Sequence, residues 1–270
     1  MGRIPGRPGI SRTGRMACAG RTDRCAARPR RRKWQKGSVM QLHTHEWGTG
    51  ERVAVLVHGI MSDHRTWRRV GPALADHGYR VIAVDLRGHG ASPRGPYSDA
   101  LFADDLVETL PANVELALGH SLGAMALSLA VERLNPKRAV YSEPAWTRGN
   151  TRLPMDTAFF AEFKHASPQM VRSFNPRWEE ADVQLELATI DAWDEASALA
   201  LSGSHQEERI PERAVVPSLV QVAGEGFLFT ESDKERVAAR GFEVRTVEGA
   251  AHVIHRDDFD GFMKSLDGWI

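Results

Sequence analysis

Cysteine is nearly absent: the chain of 270 residues has two, Cys18 and Cys25, both within its first 40 positions. Past Met40 there is no thiol for a disulfide, a thiolate-held metal or a cysteine nucleophile, and this usage fits a cytoplasmic protein. Long apolar runs are missing as well. No stretch reaches the roughly 18 apolar residues of a membrane span, and the first residues lack the apolar core of a secretion signal. Net charge is zero, with 35 Lys and Arg against 35 Asp and Glu. That balance hides an asymmetry, because residues 1–40 hold 12 basic residues and one acid, leaving 23 basic and 34 acidic residues beyond. An acidic body argues against nucleic acid as the partner of the core.

Residues 1–40 are rich in Arg, Gly and Pro and show no apolar periodicity, the composition of a disordered basic extension. Its run RPRRRK at 28–33 reads either as a contact for an acidic partner or as a solvated tail, and Met40 as an alternative start. From Met40 onward, short apolar runs alternate with amphipathic segments of helical length. Residues 53–58 (VAVLVH), 80–85 (RVIAVD), 114–118 (VELAL), 139–142 (AVYS), 218–222 (SLVQV) and 243–247 (EVRTV) read as buried strands. Helices are expected over 67–77, 121–134 and 257–269. The pattern predicts an α/β fold, a mostly parallel sheet with helices on both faces. Between 145 and 211 the alternation stops and Phe159, Phe160, Phe163, Phe174, Trp178 and Trp193 accumulate. This segment is expected to be a helical cap inserted into a core made of 41–144 and 212–270. Its aromatics would line an apolar pocket for a small-molecule substrate or form the cap's own core.

The chemistry concentrates at Gly119-His120-Ser121-Leu122-Gly123, which follows one expected strand and opens a helix. A serine on so sharp a strand-to-helix turn is exposed for attack, and glycines on either side let the two elements approach closely. The helix start also directs free N–H groups toward a developing oxyanion, Leu122 first.

With His58-Gly59 after the first of these strands and Asp85-Leu86-Arg87-Gly88-His89-Gly90-Ala91-Ser92 after the next, the chain resembles the α/β-hydrolase superfamily over nearly all of residues 50–270. The resemblance implies a second oxyanion donor at the Ile60 N–H, with Met61 beside it, and a scaffold role for Arg87 and His89. It implies a triad in the order serine, acid, histidine, with Ser121 as nucleophile and His252 as general base. His255 is the rival histidine. The acid departs from the family's pattern, because Gly224-Glu225-Gly226-Phe227 puts an aromatic at the usual position. Glu225 on that loop and Glu143 at an earlier strand end remain as candidates, with a slight lean to Glu225, while Glu231 and Asp233 read as the first turn of a helix.

The resemblance implies a serine hydrolase working through an acyl enzyme, acting on a carboxylic ester of a small, largely apolar substrate; thioester, lactone and carbon–carbon bond hydrolysis stay open. A serine in place of a carboxylate nucleophile disfavours dehalogenase and epoxide-hydrolase chemistry. The alternative from another class is a small-molecule binding protein on the same fold, with little turnover. No cofactor is expected. His43 and His45, like His252 and His255, read as surface histidines with no completing ligand set, so no metal is expected either.

Overall fold

The computed structural model describes residues 39–147, 157–198 and 209–270. The basic tail, including Cys18, Cys25 and the run at 28–33, lies outside the described residues, as do 148–156 and 199–208 within the expected cap.

Seven strands form one sheet in the order β1-β3-β2-β4-β5-β6-β7. They are β1 (Thr44–Trp47), β2 (Arg52–Val57), β3 (Tyr79–Val84), β4 (Leu116–His120), β5 (Ala139–Ser142), β6 (Ser218–Ala223) and β7 (Glu243–Val247). Only β1 runs antiparallel, against β3; every other pairing is parallel. The expected α/β class and mostly parallel sheet are therefore observed.

Strand composition explains the two covered faces. Along β2, Ala54 and Leu56 point into one apolar cluster while Val55 and Val57 point into the other, and β3 divides Val81 and Ala83 from Ile82 and Val84 in the same way. A strand apolar at every position has no face to give to water, so helices must cover both sides. Helix α1 (Val70–Asp76) contributes Val70 and Leu74 to one cluster; α2 (Asp99–Thr109) and α3 (Leu122–Leu134) build the other.

Between β5 and β6 come α4 (Thr157–Phe163), α5 (Pro168–Phe174) and α6 (Glu180–Ala192), then a 3₁₀ turn at Glu195–Ala198. Ser167 caps α5, its Oγ accepting from the Met170 N–H. The chain continues with α7 (Glu231–Ala239), α8 (Ile254–Asp257) and α9 (Phe259–Lys264). Glu231 and Asp233 do sit in the first turn of α7, where Thr230 and Asp233 form a reciprocal capping box.

Two expected helices are shorter than their patterns. Of residues 67–77, Trp67 closes a 3₁₀ turn, His64–Trp67, and α1 begins only at Val70 and stops before Gly78 at φ 84°. Residues 257–269 divide because Asp258 adopts φ −145° and caps α9 through the Gly261 N–H.

In this sheet β2 sends the chain outward to β3 on one side and later to β4 on the other. Open parallel sheets bind ligands at such a reversal, outside the carboxyl ends of the diverging strands, here β2 and β4.

Candidate active site

Ser121 stands at that reversal, at the carboxyl end of β4. It follows β4 directly, at φ 51° and ψ −114°, and α3 begins at the next residue. A non-glycine residue with positive φ is strained, and neighbouring packing must hold it there. The glycines of the turn supply the packing. A Cβ on Gly123 would lie 2.4 Å from the carbonyl oxygens of Val57 and His58, and one on Gly119 would lie 2.7 Å from the Ala124 backbone. Any side chain at either position would push α3 off the sheet.

His252, in the loop after β7, brings Nε2 to 3.1 Å from Ser121 Oγ. The carboxylate facing its other nitrogen is Glu143, whose Oε2 is 3.4 Å from His252 Nδ1. Glu143 follows β5 at φ 43° and is fully buried; its Oε1 accepts from the Ala223 N–H at 2.7 Å. The structure corrects the lean toward Glu225. That carboxylate is exposed on the surface and bonds Arg177. The reason is local: the loop after β6 turns inward through Gly226, whose Cβ position is 3.0 Å from Glu143 Oε1, leaving Glu225 outward. Phe227, at the usual acid position, instead lays its ring 5.0 Å from that of His252.

The donors expected for an oxyanion lie on the segments next to Ser121. The Leu122 N–H belongs to the first residue of α3, where N–H groups have no partner within the helix. Gly59 packs so closely that a Cβ there would be 3.2 Å from Ser121 Cβ. Ile60 follows it, then Met61 at φ 62°. His58 sets this loop. Its Nε2 accepts from the Leu86 N–H at 2.9 Å, so its Nδ1 carries the proton and donates to the Gly59 carbonyl at 2.7 Å. Within that planar trans peptide the Ile60 N–H points opposite to the carbonyl and away from His58.

Buried histidines surround the site. Burial, then the neighbouring His252, pushes His120 well below the ordinary histidine range; neutral, its Nε2 donates to the His252 carbonyl at 2.9 Å. His255 is buried too, which corrects its reading as a surface residue: it stacks on Trp67 and meets Thr66 Oγ1 at 2.9 Å. It makes no contact with Ser121 of the kind His252 makes. Burial likewise lowers His58, and brings His89 down to about 3.

The helices between β5 and β6 reach the same region. Trp178 Nε1 donates to Asp257 Oδ1 at 3.0 Å, and Asp257 Oδ2 accepts from the Ala251 N–H, next to His252. Arg256 pairs with Glu186 of α6 at 2.7 Å and stacks over Trp178. Phe160 and Trp193 belong to the apolar cluster on one sheet face, while Trp178 packs with Val171 and Val183. Those aromatics thus serve as core; Phe174 alone among the large hydrophobic residues of this segment is markedly exposed among the described residues. The Phe159 side chain lies outside the described residues.

This fold and site define a class of protein, and the α/β hydrolase family matches residues 54–264. The chain belongs to that family. It is 26% identical over 250 residues to an N-formylmaleamate deformylase of Pseudomonas putida, covering 86% of this chain and 93% of the relative. An epoxide hydrolase of Caballeronia sordidicola is 34% identical over 123 residues, 42% of this chain and 37% of that protein. The solved structure of a deformylase from Pseudomonas putida S16 superposes with a TM-score of 0.71 at 25% identity, covering 83% of this chain and 96% of that one. The chain is accordingly related to hydrolases of the α/β fold.

His58, His120 and Phe227 were not assigned site-supporting roles from the sequence. All three were marked by position, His58 and His120 inside the HG and GHSLG motifs and Phe227 at the usual place of the acid.

Proposed function

We propose that the chain is a serine hydrolase that cleaves a carboxylic acyl bond of a small molecule through an acyl enzyme. The observation that carries this reading is the alignment of Ser121 Oγ, His252 and the buried Glu143 carboxylate, with contacts of 3.1 and 3.4 Å. His252 Nε2 takes the Ser121 proton as Oγ attacks the acyl carbon, and Glu143 stabilises the imidazolium that forms and holds its tautomer. The tetrahedral oxyanion is received by the Ile60 and Leu122 N–H groups. The imidazolium then protonates the leaving group. Water, deprotonated by the same histidine, releases the acid and regenerates Ser121. No cofactor enters these steps.

A carboxylic ester is the first substrate class to test. The name of the Pseudomonas putida relative adds a formyl group bound to nitrogen, which the same acyl chemistry would remove. The serine at the turn favours acyl transfer over epoxide opening despite the partial match to an epoxide hydrolase. The segment 145–211 acts in this reading as a cap over the core formed by 41–144 and 212–270. Its support is the Trp178–Asp257 bond, which ties the segment to the loop of His252.

The test is turnover of short-chain nitrophenyl esters and N-formyl amides, with mass spectrometry of the quenched enzyme. An acyl group on the peptide containing Ser121, absent from Ser121→Ala, is the expected result. Turnover with no covalent adduct and no loss in Ser121→Ala would contradict it.

A further inference from the structure

A second group of donor atoms stands outside the Ser121 site. Asp85, fully buried after β3, faces two imidazoles: Oδ1 is 2.7 Å from His64 Nδ1 and Oδ2 is 2.9 Å from His43 Nδ1. One donor atom from each of the three residues can be chosen so that all lie within 4.8 Å of one another. The residues come from three separate segments: the approach to β1, the 3₁₀ turn after β2, and the end of β3.

Each is fixed through its backbone. The Asp85 N–H donates to the His43 carbonyl at 2.9 Å, and the His64 N–H donates to Asp85 Oδ1 at 2.8 Å. The His43 N–H donates to Ser92 Oγ at 2.8 Å, and that hydroxyl donates to the Asp85 carbonyl at 2.6 Å. Asp85 Oδ2 also accepts from the Ala91 N–H at 3.0 Å. A carboxylate held by amide N–H groups from behind is the support that metal-ligating carboxylates receive.

We propose that His43, His64 and Asp85 bind one divalent transition-metal ion of the zinc, cobalt or nickel kind. Two imidazole nitrogens and a carboxylate oxygen form a donor set such ions favour, and the remaining positions stay open to water. Bonds of about 2.0–2.1 Å in a tetrahedral site put donors roughly 3.4 Å apart. That spacing falls between the present 2.7 Å of the closest pair and the 4.8 Å limit of the set. The His43 side chain is 41% exposed and free to make the adjustment. His45 stacks on His64 at 5.0 Å, and Trp47 meets His45 edge-on, so rings wall the neighbouring surface. The bound ion joins β1 to the loops after β2 and β3, the first of which carries Gly59 and Ile60. A hydrogen-bonded cluster that takes no ion is the competing account.

The test is calorimetric titration of the untagged full chain with Zn²⁺, beside His43→Ala and His64→Ala. Comparison with the variants separates this site from the Cys18 and Cys25 thiols, which all three proteins share. The wild type is expected to bind one ion more than either variant, or to bind that ion roughly tenfold tighter or more. Added Co²⁺ should give visible ligand-field bands that His43→Ala loses. His43 is exposed and outside the hydrophobic core, so its removal leaves the fold intact, and circular dichroism checks this. Equal stoichiometry and affinity in the wild type and a folded His43→Ala would overturn the proposal.

Discussion

Ser121 carries opposite demands at the scale of one residue. Its φ of 51° is costly for a side-chain-bearing residue, yet the same conformation projects Oγ toward His252. Ser121→Gly should therefore raise stability by about 1 kcal/mol in chemical denaturation while abolishing turnover. A loss of stability would mean that the turn is unstrained. Glu143 and Glu225 form the second residue-scale contrast. Glu143→Gln is expected to lower kcat by about 10⁴-fold, because an amide cannot stabilise the imidazolium or hold the correct tautomer. Glu225→Gln, which alters only an exposed pair with Arg177, should stay within about twofold. Steady-state kinetics on one ester decides between them, and a larger loss at Glu225 would reverse the assignment.

Elements hold these residues in place, and here the glycine contacts are decisive. Gly123→Ala would insert a methyl 2.4 Å from two backbone oxygens of the strand end that leads to Ile60. Since backbone atoms cannot swing aside as a side chain does, it is expected to cost several kcal/mol, read as a large fall in Tm or as insoluble protein. The parallel strands were legible because buried strands carry continuous apolar runs, as in 53–57 of β2 and 81–84 of β3, whereas the exposed edge strand β1 has no such run and was not among those read. The GHSLG turn was legible because strand, glycines and helix pattern coincide. Glu143 was a candidate but was not preferred to Glu225, because an acid at a strand end is indistinguishable in sequence from a surface carboxylate. Its burial depends on how the loop after β6 folds inward through Gly226, a contact between segments about 80 residues apart. The split of the last helix depended on Asp258, whose capping role competes with continuation of the helix.

At the scale of the whole molecule, His58, His89, His120 and His255 are held neutral, each below the ordinary histidine range chiefly by burial. Because the unfolded chain takes up these protons first, the stability they carry is complete above about pH 6.5 and is lost as the pH falls below it. Each such histidine contributes up to about 1.4 kcal/mol per pH unit while it is protonated in the unfolded chain and neutral in the folded one. His64, raised by its bond to Asp85 against the effect of burial, works in the opposite direction but stands alone against four. Melting temperature should therefore fall steeply between pH 7 and pH 5, and a flat profile would contradict the neutral assignments.

The proposed function rests on a nucleophilic Ser121, and the most direct test of that proposal is the rate of labelling by a fluorophosphonate probe. The wild type is predicted to be labelled on Ser121, Ser121→Ala not at all, His252→Ala and Glu143→Gln far more slowly, and Glu225→Gln at nearly the wild-type rate. A folded wild-type protein that resists the probe, or one labelled equally well without His252, would contradict the account and favour a binding protein built on a hydrolase fold.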